Sequence, residues 1–170
     1  IKPYDSTSLQ FYVMYHLLLI TRNQNQFVLC LSEFIDTIAL HEFVDIQNLY
    51  YTARNVYNAR VNFNSVLKDA VGERPLVKAI AYGIKADMPE EQTFFDALKK
   101  AGFEVKLKEL QSFYGGAKKG DWDVGIVMDI IKLIPKLDVL VLASGDGDYI
   151  PLLEYLQVLG VRVELVSFDK

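Results

Sequence analysis

Aspartates fall where alternating strands and helices would bring them together. Asp45 closes the run Ile38-Ala39-Leu40-His41-Glu42-Phe43-Val44-Asp45, and Asp146 and Asp148 follow directly on the apolar run LDVLVLA at 137–143. Asp121 and Asp123 open a further helical stretch, behind a loop that contains Gly115-Gly116 and Lys118-Lys119-Gly120. Four or five carboxylates converging on one crevice repel one another strongly unless a cation lies between them. Hard oxygen donors suit magnesium or manganese, and the sequence has no His or Cys cluster that would favour zinc. An ion so held can activate water and steady the charge on a phosphodiester during in-line attack. The residues therefore point to metal-dependent phosphoryl chemistry.

The elements that must position them follow from periodicity and punctuation. Residues 38–45 read as a strand, a helix-like stretch runs from Asn48 to about Gly72, and residues 75–84 (PLVKAIAYGI) read as a second strand. Met88-Pro89-Glu90-Glu91 starts a helix with Pro and acids in its first turn; Phe94, Phe95, Leu98 and Ala101 give it an apolar face, and Gly102 ends it. Residues 103–110 are a third strand, 112–120 a loop, and 121–134 a helix closed off by Pro135. Residues 137–143 are a strand buried on both faces, 144–148 a tight acidic turn, 149–159 a helix before Gly160, and 161–168 the last strand. This alternation predicts an α/β domain of three layers, a mainly parallel central sheet of about five strands with helices on both faces. In such sheets ligands bind beyond the carboxyl ends of the strands, near the switch in strand order. With a 3-2-1-4-5 order, Asp45 and the pair Asp146 and Asp148 would share one crevice.

The bulk composition bounds the alternatives. A length of 170 residues suits one domain, and 51% hydrophobic with 24% charged residues supports a buried core. Lys plus Arg number 18 against 22 Asp plus Glu, and the net charge of −4 argues against a broad basic coat for nucleic acid. It is compatible with a metal-dependent nuclease, whose cations offset the same carboxylates. The single cysteine, Cys30, excludes an internal disulfide and fits a reducing cytoplasm, with burial as a small hydrophobe its expected role. The longest apolar run, Phe11 to Ile20, is short for a membrane span, and no stable membrane association is expected.

Three motifs carry a resemblance. Phe43-Val44-Asp45-Ile46-Gln47-Asn48-Leu49 resembles the opening of NYN domains, where a strand-ending aspartate is followed three residues later by asparagine. Lys119-Gly120-Asp121-Trp122-Asp123-Val124, with Asp129 beyond, is similar to that family's lysine-glycine stretch, Asp-Val helix start and second helical aspartate. Ala143-Ser144-Gly145-Asp146-Gly147-Asp148-Tyr149, followed by Pro151-Leu152, resembles its SGDGDF motif. The resemblance covers residues 43–168 in order and spacing, and is strongest to the LabA-like bacterial branch. It implies a PIN-like, Rossmann-like fold and, where activity exists, a metal-dependent ribonuclease. Two departures stand out. Ile46-Gln47 replaces a glycine and a small polar residue, and the stretch Asp121-Trp122-Asp123 holds one residue more than the commoner form. Either aspartate could be the ligand; Val124 after Asp123 favours Asp123.

Each residue also has a plainer role to set against this. Asp121 and Asp123 suit a helix cap and first turn, so one is expected to cap and the other to ligate. Asp129 lies about 120° around and about 9 Å along the helix from Asp123, so it is either a supporting residue or a partner of Lys132. Asn48 suits a cap, or orients water or the Asp45 carboxylate; Ser144 suits a turn or a phosphate contact. Lys118 and Lys119 are solvated or meet phosphates, and Arg54 and Arg60 are weaker candidates. Trp122 and Tyr149 are expected mainly in the core, whereas Tyr50 and Tyr51 could stack on RNA bases.

Residues 1–37 lie outside the resemblance, ahead of a domain at 38–170. Phe27, Val28, Leu31, Phe34, Ile35 and Ile38 follow helical spacing, so this N-terminal segment is expected to be helical, packing on the domain or forming a homodimer. The expectations for function are two. The first is an endonucleolytic ribonuclease with Asp45, Asp123, Asp146 and Asp148 as ligands to Mg2+ or Mn2+, supported by Asn48, Ser144, Lys118, Lys119, Asp121 and Asp129. The second is a non-catalytic module that binds RNA or a protein partner. A phosphatase acting on a small molecule ranks below both.

Overall fold

Strand β2 (Leu40–Asp45) is buried along its whole length, as is β7 (Val139–Ala143), and these two lie side by side at the centre of one sheet. The structure is a computed structural model that describes residues 12–13, 38–85, 89–112 and 118–168. Around the central pair stand β3 (Leu76–Lys85), β4 (Glu104–Glu109) and β8 (Arg162–Ser167), all parallel, in the order β8-β7-β2-β3-β4. Numbered by appearance, this is the 3-2-1-4-5 order, the one under which Asp45 and the acidic turn would share a crevice. The register sets Val44 of β2 opposite Ala143 of β7, so Asp45 and Ser144 emerge level at the same rim.

Helices cover both faces. On one face α1 (Ile46–Tyr57), α2 (Phe63–Val71) and α3 (Pro89–Ala101) enclose a core of Leu49, Phe63, Val66, Phe95 and Leu98 against alternate residues of the sheet. On the other, α4 (Asp123–Leu133) and α5 (Ile150–Val158) bury Ile126, Ile130, Leu152, Leu153 and Leu156. Alternation along β2 sends Leu40 and Val44 to the first core and Phe43 to the second, so one strand feeds both layers.

The stretch expected to be helix from 48 to 72 is two helices. Asn58 adopts a left-handed conformation at the end of α1 (φ 49), which asparagine tolerates better than most residues, and Asn62 caps α2 by accepting the Ser65 amide. The stretch 112–120, expected as a loop, is bounded by a short antiparallel pairing of β5 (Gln111–Ser112) with β6 (Lys118–Lys119). Those backbone hydrogen bonds place Lys118 and Lys119 on a strand; residues 113–117 lie outside the described residues. Within the N-terminal segment, expected to be helical, Tyr12–Val13 form β1, which pairs antiparallel with the edge of β8 at Val166 and Ser167. The helix expected from Phe27 onward lies outside the described residues, Ile38 excepted. No described helix is long and apolar enough to cross a membrane.

Candidate functional site

The carboxyl rim of β2 and β7 is where the motifs meet. Asp45 is the last residue of β2 and the N-cap of α1: its side chain accepts the Asn48 amide at 3.1 Å. The Asn48 side chain then reaches across to the turn after β7, where its Oδ1 accepts the Gly145 amide at 2.7 Å. That bond joins the first and third motifs directly. It gives Asn48 a structural task beyond the cap or water-orienting roles its position suggested.

Behind Gly145, the turn is built from its own side chains. Buried Ser144 accepts the Asp146 amide through Oγ at 3.2 Å, and Asp146 accepts the Asp148 amide at 2.9 Å, capping the 3-10 turn Gly147–Tyr149. Ser144 thus does what a turn former does.

Asp123 comes from the opposite layer, at the first position of α4. Its Oδ1 accepts the Tyr149 hydroxyl at 3.4 Å. Tyr149 is buried, as core packing required, yet its hydroxyl ends among the carboxylates; burial first, then the charges of Asp45 and Asp123, push its ionisation well above the ordinary tyrosine range. Neither Asp121 nor Asp123 caps the helix, contrary to the expectation that one would. The cap position is Trp122, whose side chain bonds no helix amide; its indole is committed instead to the Gly83 carbonyl at 2.7 Å.

The electrostatics of the rim are one-sided. Burial raises the Asp45 carboxyl above its usual range, and the charges of Asp123 and Asp146 push in the same direction, against the Asn48 and Gln47 amides that lower it. Asp123 is likewise raised by burial and then by Asp121, Asp146 and Asp148, with the Tyr149 hydroxyl opposing. These mutual effects tie five aspartates from three chain segments into one field. Among the described residues, Asp45, Asp123, Asp146 and Asp148 have no Lys or Arg within ion-pair distance. The described residues contain no group of three His, Cys, Asp or Glu already closed around a position for one ion.

Asp129 belongs to a different constellation. Its carboxylate accepts Lys106 at 2.6 Å, the Tyr82 hydroxyl at 3.2 Å and Lys132 at 3.4 Å. Burial alone would raise it, but the Lys106 ammonium, with Tyr82 and Lys132, holds it below the usual range. It is not among the charges that act on Asp45 or Asp123. The partner role with Lys132 is thus realised, and Lys106 on β4 is the closer cation. Arg54 bonds the Tyr50 hydroxyl on exposed α1 at 3.2 Å. The side chains of Lys118 and Lys119 lie outside the described residues.

Lys108, which lies outside the three sequence motifs, borders the site. Its ammonium donates to the Asp121 carbonyl at 3.0 Å and lies 4.3 Å from the centre of the Trp122 ring. The alternation of Lys106 and Lys108 along β4 was the available signal, since it sets both on the face that carries Tyr82 and Trp122.

Comparison with known proteins agrees with this fold. The model of the NYN domain family matches residues 41–170. The chain is 28% identical to the "Low amplitude and bright protein LabA" of Synechococcus elongatus over 136 residues, covering 75% of this chain and 72% of that protein. Among solved structures it is similar to a Vibrio parahaemolyticus protein of unknown function, with 32% identity and a TM-score of 0.68, covering 79% of this chain and 95% of that one. Motifs, strand order, rim geometry and the family match converge: the chain belongs to the NYN domain family, within the PIN-like nuclease superfamily, and is a homologue of LabA.

Proposed function

We propose that the chain is a divalent-metal-dependent endoribonuclease of the cytoplasm. The observation that carries this reading is the uncompensated charge at the rim. Asp45, Asp123, Asp146 and Asp148 have no cationic partner among the described residues, whereas the buried Glu164 is held by Arg74 and Arg162. Hard carboxylate donors at the end of a parallel sheet fit Mg2+ or Mn2+, and these four residues would hold it. A bound ion supplies Lewis acidity toward water and a phosphodiester.

The chain's own residues do the rest. Tyr149 orients Asp123 from below, and Asn48 fixes the Gly145 turn that carries Asp146 and Asp148. Asp121 adds negative field at Asp123, strengthening the call for a cation. Lys118 and Lys119, on β6 just ahead of the α4 start, would meet the RNA backbone as phosphate contacts. Asp129, neutralised by Lys106 and Lys132, takes no part in this reading.

A second reading is a non-catalytic module that binds RNA or a protein partner. It draws on the fact that no three metal-capable side chains among the described residues are already closed around one position.

The test is cleavage of labelled single-stranded RNA with Mg2+ or Mn2+ by the wild type and by Asp146→Asn. Asparagine keeps an acceptor oxygen for the Asp148 amide, so the turn should survive. Metal-dependent cleavage that disappears in the folded variant supports the nuclease. A folded wild type that binds RNA but never cuts it supports the module.

A further inference from the structure

We infer that Trp122 is a positioning residue: its indole clamps the start of α4 so that the flanking Asp123 carboxylate faces the rim instead of being spent as a helix cap. The inference rests on the proposed metal site and adds a residue to its machinery.

Trp122 occupies the cap position with φ −114 and ψ 1, and it makes no side-chain bond to the helix. Its carbonyl begins the helix by accepting the Ile126 amide at 2.7 Å. The indole N–H donates to the Gly83 carbonyl at 2.7 Å, one residue past the last β2–β3 pair, Asp45 with Tyr82. The ring meets Tyr82 edge-on at 5.1 Å and carries Lys108 at 4.3 Å, and the same ammonium holds the Asp121 carbonyl at 3.0 Å. Beneath it lies Gly125, where an added Cβ would stand 2.5 Å from indole Cε3. Thus β3, β4 and α4 are tied through one side chain whose two neighbours in sequence are both aspartates.

The physical consequence is directional. An aspartate at the cap would turn its carboxylate onto the helix amides. With tryptophan there, Asp123 moves to the first helical position, keeps the favourable helix dipole and reaches Tyr149 instead. The extra residue in Asp121-Trp122-Asp123 thereby acquires a role: it supplies the clamp without displacing the ligand.

Trp122 is the single tryptophan of the chain, so it reports on itself. The experiment is isothermal titration of the full chain with Mn2+, with tryptophan emission recorded alongside, for wild type, Trp122→Phe and Gly125→Ala. Loss of a residue that orients a metal ligand should weaken Mn2+ binding about tenfold or more. Trp122→Phe should keep its circular dichroism spectrum and lose that affinity. Gly125→Ala, which retains the fluorophore and covers the case in which Trp122→Phe does not fold, should shift the emission and weaken Mn2+ alike. Wild-type Mn2+ affinity in either folded variant overturns the clamp. Wild type that binds Mn2+ tightly without cutting RNA sinks the ribonuclease and leaves the clamp standing. Wild type that takes up no Mn2+ overturns both.

Discussion

Glu164 in the sheet and Asp45 at its rim are both buried carboxylates, and the fold treats them in opposite ways. Glu164 receives Arg74 at 2.7 Å and Arg162 at 2.8 Å, and Arg74 is itself anchored by donating to the Val71 and Ala70 carbonyls. Asp129, nearer the surface, is matched in the same manner by Lys106 and Lys132. At the rim, Asp45 meets the charges of Asp123 and Asp146 with only backbone amides to offset them. That Glu164 and Asp129 are matched by cations while the rim aspartates oppose one another supports the proposal that the rim holds a cation.

Four substitutions test that contrast. The largest effect belongs to the rim. Asp45→Asn keeps the α1 cap, because asparagine caps as well as aspartate, but it should cut metal-dependent RNA cleavage by about a thousandfold, the several kcal/mol such an ion contributes. Cleavage rates under saturating Mg2+ check this, and near-wild-type activity would remove Asp45 from the site. Next is the paired interior. Arg74→Met leaves Glu164 short of a partner and should cost about 3 kcal/mol in urea unfolding, whereas Asp45→Asn without metal should cost little or stabilise.

Third is Glu42, a buried carboxyl on the central strand. Both its oxygens lack a hydrogen-bond partner among the described residues, and burial pushes its pKa up to about 8. The folded state therefore holds a proton that the unfolded state releases above its own, ordinary carboxylate pKa. Stability should be fullest below that ordinary value and fall as pH rises toward 8, by up to about 1.4 kcal/mol per pH unit. The raised Asp45 and Asp123 act in the same direction. Denaturation of Glu42→Gln between pH 5 and 8 should show a flatter dependence than wild type; an identical slope would mean that Glu42 is not the group titrating. The smallest effect is at the surface. Lys132→Ala removes the outer partner of Asp129, whose Lys106 bond remains, and should change stability by no more than about 0.5 kcal/mol.

Much of this was legible in the sequence because the signals were local. The run at 137–143 announces a strand buried on both faces, and the spacing Asp45-x-x-Asn48 places a cap directly after a strand. The alternation announced the parallel sheet but left its order open; the observed order is the one under which Asp45 and the acidic turn meet. What stayed hidden depended on contacts between distant segments. No local pattern tells that Asn48 bonds Gly145, that Trp122 bonds Gly83, or that Lys106 claims Asp129. The division of 48–72 into two helices was obscured because Asn58 and Asn62 act through backbone conformation and capping, and neither Gly nor Pro marks the break.

Binding of a divalent cation by the rim aspartates, as proposed, can be read from the melting temperature of metal-free protein with and without added Mn2+. At about a hundredfold excess over its dissociation constant a site-bound ion adds about 2.7 kcal/mol to the folded state. The melting temperature should rise clearly for wild type and little or not at all for Asp45→Asn. An equal rise in both proteins, or no rise in wild type, would contradict it.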